Sequence, residues 1–133
     1  MSGHLTNHRF YLLIRSFLVF LFLALLTYLS LATHPLGGNN PWILNFKGSD
    51  KVAHFTLYCI FCLTVTWAYY PYIKKRKVFL LIFLSIILYG IFMEICQGWI
   101  FPVGRSFELL DIAANITGVA IAAFCYNLFR RIL

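Results

Sequence analysis

Four long apolar runs, separated by short polar stretches, leave this chain few ways to fold. They cover about Tyr11–Ala32, Val52–Ile73, Val78–Phe101 and Ile112–Phe129. The first carries no charge after Arg15, the second none apart from a proton on His54, and the third is broken only by Glu94. Each run approaches the roughly 20 residues that a helix needs to cross the hydrocarbon core. The chain is 11% charged and 62% hydrophobic, whereas a soluble domain carries roughly 25% charged residues. The expected fold is therefore an all-α membrane protein: a single domain over residues 1–133, built as a bundle of four transmembrane helices.

The net charge of +7 does not point to nucleic acid, because the cations flank the apolar runs instead of lining a polar face. Arg9, Arg15, Lys74, Lys75, Arg76, Lys77, Arg130 and Arg131 have no acid among them. Lys47, Lys51 and Arg105 are interleaved with Asp50, Glu108 and Asp111. The positive-inside rule then predicts both termini and the Lys74–Lys77 turn in the cytoplasm, with every acid toward the outer half of the membrane. The first run also resembles a secretory signal, with Ser30 and Ala32 as the small residues of a cleavage site. Its length, and Tyr28 and Leu29 crowding that site, favour an uncleaved first span. Cys59, Cys62, Cys96 and Cys125 all lie inside apolar runs, which argues against a secreted disulfide framework. Cys59-x-x-Cys62 lies mid-helix without a second pair and is read as packing.

Only four acidic residues occur in the chain, and carboxylates near lipid are costly enough to mark function. Asp50-Lys51-x-x-His54 opens the second run. Asp50 and His54 share a helix face, and Asp50 also suits the helix N-terminus, with Ser49 as its cap. Glu94-x-x-Gln97 lies in the third run, about 10 Å below Phe101 at 1.5 Å per residue. Capping cannot explain a carboxyl there; it is protonated, paired with a cation or exposed to a polar cavity. The third group is Arg105-Ser106-Phe107-Glu108-x-x-Asp111-x-x-x-Asn115. Its i, i+3, i+7 spacing aligns Glu108, Asp111 and Asn115 on one stripe, which Gly118 and Ala122 continue as a close-packing face. Arg105 has two readings: a clamp on Glu108 or Asp111 within the loop, or a partner for Glu94 or a ligand's anionic group. His34 lies in the first outer loop, and no spacing ties it to the site.

In this order, on four hydrophobic runs, the motifs resemble the VanZ-like family. The residues that carry the likeness are Asp50-Lys51-Val52-Ala53-His54-Phe55, Glu94-Ile95-Cys96-Gln97 and the stretch from Gly104 to Gly118. Glu108 stands where the family usually has Asp, and Val103 separates Pro102 from Gly104 where the family often has Pro-Gly. The resemblance implies a small bacterial inner-membrane protein of the cell envelope. The family is named for a member linked to low-level resistance to teicoplanin, a lipidated glycopeptide acting on cell-wall precursors; a link of this chain to antibiotic resistance rests on the resemblance alone.

The expected ligand-binding set is Asp50, Lys51, His54, Glu94, Gln97, Arg105, Glu108, Asp111 and Asn115, with His54, Glu94 and Asp111 as catalytic candidates. If these groups converge, four carboxylates face Lys51 and Arg105, with Lys47 near by. The pocket is then acidic or near neutral with His54 uncharged, and a poor trap for a bare diphosphate, which needs an excess of cations. A protonated Glu94, a protonated His54 or a bound metal ion would each relieve that imbalance. No recognised ligand spacing supports a metal, so no metal and no cofactor is expected; a metal held by His54 and carboxylates is a variant of the enzyme reading that follows. Two functional readings follow. The first is a binding protein for an envelope lipid headgroup, a lipid-linked or lipidated ligand or a protein partner. The second is a membrane-embedded enzyme using His54 and Glu94 as acid and base on a lipid-linked substrate, with Arg105 as anion clamp. A third, purely structural reading has these polar groups only locking the helices together.

Overall fold

The structure, a computed structural model, describes residues 2–31, 48–100 and 107–132. Its elements are α1 (Ser2–Leu31), α2 (Ser49–Ala68), a short α3 (Tyr70–Ile73), α4 (Arg76–Ile95) continuing into a π-helical turn (Cys96–Ile100), and α5 (Leu109–Ile132). Four of these helices are long and apolar enough to cross a membrane: Arg9–Leu31, Ser49–Ala68, Arg76–Trp99 and Leu109–Arg130. This is the architecture of a multi-pass membrane protein.

The helix ends differ from the apolar runs for local reasons. α1 starts at Ser2, ahead of the apolar run, because extending an established helix costs far less than nucleating one. α2 begins three residues before Val52, and its N-cap is Gly48, not Ser49. Gly48 sits at φ 94°, a left-handed conformation that side chains other than glycine's resist. The second run does not remain one helix to Ile73. It breaks at Tyr69, because Pro71 in the first turn of α3 has no amide hydrogen to continue the ladder. α5 starts at Leu109, with the amides of Asp111 and Ile112 bonding back to the Glu108 carbonyl.

α2 is the most buried span and α1 the least. Lipid gives apolar side chains no reason to leave it, so helix association depends on close packing. α2 and α5 meet at Gly118, where an added Cβ would run into the Phe55 carbonyl oxygen and lie 3.1 Å from the Cys59 nitrogen. Ala122, fully buried, extends that seam. The apolar core fills the half of the bundle away from the acids, around Phe61, Cys62, Val65, Phe83, Ile86 and Val119. Phe79 stacks between Phe83 and Tyr126, with ring centroids 4.3 and 5.4 Å away. α1 joins the others through polar contacts as well. Thr27 Oγ1 lies 2.6 Å from the Tyr89 hydroxyl, Tyr69 donates to Ser16 Oγ at 3.1 Å, and Arg15 rests over the Trp67 ring.

Candidate functional site

The first turns of α2 and α5 and the C-terminal end of α4 bring their polar side chains together at one end of the bundle. Asp50 and Lys51 lie at the start of α2, with His54 one turn deeper. Glu108 precedes α5, and Asp111 and Asn115 follow on the face that α5 turns to α2. Glu94 comes from α4. The cluster is graded in depth. Side chains of Asp50, Lys51 and Glu108 are 43%, 30% and 43% exposed, whereas His54, Glu94, Asp111 and Asn115 are buried. We call this graded polar cluster a well: its mouth is the half-exposed end and its floor the buried one.

Lys51 is the cation of the mouth. Its Nζ donates to Glu108 Oε2 and lies 3.1 Å from Asp111 Oδ1 and 3.9 Å from Asp50 Oδ2. Among the described residues a single ammonium thus meets three carboxylates, Asp50 from α2, Asp111 from α5 and Glu108 just ahead of α5. Among the described residues the well holds four carboxylates and this one Lys, so its charge balance is acidic when His54 is neutral.

His54 links mouth and floor. Its Nδ1 lies 3.2 Å from Asn115 Oδ1 and 3.5 Å from Glu94 Oε1, and its Nε2 lies 3.9 Å from Asp50 Oδ1. Both groups facing Nδ1 are acceptors. With its proton on Nδ1 the neutral ring would donate to Asn115 Oδ1 and turn the Nε2 lone pair toward the mouth; with the proton on Nε2 it would face Asp50 instead. At the floor, Gly90 of α4 leaves room for two side chains. A Cβ there would meet Tyr58 Cε1 at 3.0 Å and Asn115 Nδ2 at 3.3 Å. The Tyr58 hydroxyl and Asn115 Nδ2 are buried without a hydrogen-bond partner among the described residues. Such groups are costly to leave unsatisfied, and that makes them candidates for holding a ligand.

Seven of the nine expected ligand-binding residues meet here: Asp50, Lys51, His54, Glu94, Glu108, Asp111 and Asn115. Gln97 does not join them. Beyond Glu94 the helix widens into the π turn, a feature that re-aims side chains and is frequent at functional sites. Gln97 Nε2 donates to the Ser30 carbonyl of α1 at 2.5 Å, so Gln97 ties α1 to the bundle. Arg105, Lys47 and His34 lie outside the described residues. Tyr58 escaped the sequence reading, although it stands one helical turn after His54 on the same face. Gly90 carried no signal at all. The cysteines of the Cys59-x-x-Cys62 pair and Cys125 are free thiols.

Comparison with family models, curated proteins and solved structures finds no match to this chain. The functional reading therefore rests on the well itself.

Proposed function

We propose that this chain is a small multi-pass protein of a bacterial cytoplasmic membrane, of the VanZ-like type. In this reading its polar well opens to the outer leaflet and binds the headgroup of an envelope lipid or lipid-linked ligand. The observation that carries the proposal is the grading of the well. Asp50, Lys51 and Glu108 are open at its mouth, while His54, Glu94 and Asp111 are buried behind them. A headgroup sits at the membrane surface with its tails in lipid, so it reaches such a mouth without leaving the bilayer. The buried hydroxyl of Tyr58 and amide of Asn115 supply donors at the floor.

The orientation rests on charge bias. The acids gather at the end of the bundle opposite the Lys74–Lys77 turn, and clustered Lys and Arg favour the cytoplasmic side. A second reading, a membrane-embedded enzyme, draws on His54. A buried imidazole between Glu94 on one nitrogen and Asp50 on the other is the arrangement of an acid–base pair.

Lipid analysis of a deletion strain, beside strains carrying Glu94→Gln or Asp111→Asn, tests both readings. The binding account predicts an altered distribution of an envelope lipid that the wild-type gene restores and neither folded variant does. Accumulation of one lipid with loss of a chemically related product would instead identify the enzyme. Full restoration by both variants would contradict each reading. Teicoplanin sensitivity of the same strains tests the link that the family resemblance suggests.

A further inference from the structure

We infer that the mouth of the well is a divalent transition-metal site, with Asp50, His54 and Asp111 as its protein ligands. One ligand atom from each of these residues lies within 4.8 Å of the others. A tetrahedral cation with bonds of about 2.0–2.1 Å spaces its ligands by roughly 3.4 Å. Closing the set takes a modest inward movement. Asp50, half-exposed in the first turn of α2 and 3.9 Å from both Lys51 Nζ and His54 Nε2, supplies it by exchanging its present contacts for the ion.

The arrangement behind the triad is what distinguishes it from a chance gathering of acids. A histidine that ligates a metal through one nitrogen nearly always donates the other N–H to a carboxylate or carbonyl, which fixes the tautomer and strengthens the ligand. His54 is set up in that way: Nδ1 faces Asn115 Oδ1 at 3.2 Å and Glu94 Oε1 at 3.5 Å. In the tautomer with its proton on Nδ1, Nε2 presents a lone pair on the side of Asp50, whose Oδ1 lies 3.9 Å away. These backing groups come from α4 and α5, whereas the imidazole comes from α2. One imidazole with two carboxylates is a donor set for zinc, manganese or ferrous iron, not for a soft thiolate-seeking ion.

Lys51 is the competitor. Its Nζ occupies the space beside Asp111 Oδ1 at 3.1 Å, and it already pairs with Glu108. A cation entering the triad displaces the ammonium from Asp111 and leaves it on Glu108. The filled site also changes what the well attracts. A divalent cation offsets the carboxylate charge and offers open coordination positions, so an anionic headgroup oxygen becomes acceptable where the acids alone would repel it.

The test uses the full chain, purified in detergent and stripped with chelator, titrated with manganese and followed by the electron paramagnetic resonance of the free ion. Manganese is the probe because the chain's four free thiols would compete for zinc. One saturable site per chain is expected. His54→Ala and Asp111→Asn should each weaken it beyond the about 10–100-fold typical of backing residues, a range in which Glu94→Gln should fall. Lys51→Met should tighten binding by about tenfold or more, because a like charge leaves the site. Absence of saturable binding overturns the inference, as does binding that survives both His54→Ala and Asp111→Asn. If those two variants do not fold, Lys51→Met decides: affinity equal to or below that of the wild type overturns it. Binding of lipid that persists in a chain without manganese affinity would leave the headgroup reading standing and remove only the metal.

Discussion

Replacing Gly118 with alanine should damage both the packing of the bundle and its polar well. The new Cβ would overlap the Phe55 carbonyl oxygen and lie 3.3 Å from the Phe55 carbonyl carbon. Both are backbone atoms, so no side chain can rotate away. An ordinary carbon–oxygen contact needs about 3.3–3.6 Å, which forces α5 back from α2. Overpacking of this kind costs about 1–3 kcal/mol. The same displacement stretches the His54–Asn115 contact one turn away, which at 3.2 Å is already long, and a weakened hydrogen bond adds about 0.5–1.5 kcal/mol. Alanine's better helix propensity returns at most about 1 kcal/mol. The net expectation is a loss of about 0.5–3.5 kcal/mol. Unfolding of the purified protein in mixed micelles, followed by circular dichroism, measures it. Stability equal to or above the wild type would refute the conclusion that α2 and α5 meet backbone to backbone at Gly118.

Lys51→Ala removes the ammonium shared by Asp50, Glu108 and Asp111 and should cost about 1–2 kcal/mol at neutral pH. Exposure screens the Glu108 pair, but the Asp111 carboxylate is buried. Adding Asp111→Asn to that variant should recover part of the loss in the same unfolding assay, and a purely additive double variant would contradict their pairing. Gln97→Ala should loosen α1, seen as faster proteolysis near its C-terminal end, while leaving lipid binding at wild-type level. Loss of binding without loosening would return Gln97 to the site.

The spans were legible because lipid demands length and apolarity, properties that any window of the chain displays. So was most of the well. The spacing from Asp50 to His54 and from Asp111 to Asn115 places each pair on one helix face whatever the tertiary fold. What remained hidden depends on contacts between helices. The end of α2 at Tyr69 follows from Pro71, a local signal that the apolar run masked. The departure of Gln97 toward Ser30 follows from the π turn, which has no sequence signature of its own. Gly48 took the cap in place of Ser49 because the chain enters α2 through a left-handed residue. Gly90 admits Tyr58 and Asn115 only because α4 happens to face them, and a lone glycine in an apolar run does not announce that. Residue spacing allowed Glu94 a proton, a cation or a polar cavity and named Arg105 as its partner; the packing of α4 against α2 is what brings His54 within 3.5 Å of it.

If these residues form one ligand-binding well, native mass spectrometry of the purified protein will find a lipid held in it. The wild-type chain should retain an envelope lipid through detergent exchange. Glu94→Gln preserves the shape of the buried floor and removes its carboxylate, so it should stay folded and release that lipid. A folded Glu94→Gln protein that keeps the same lipid to the same extent would contradict the account.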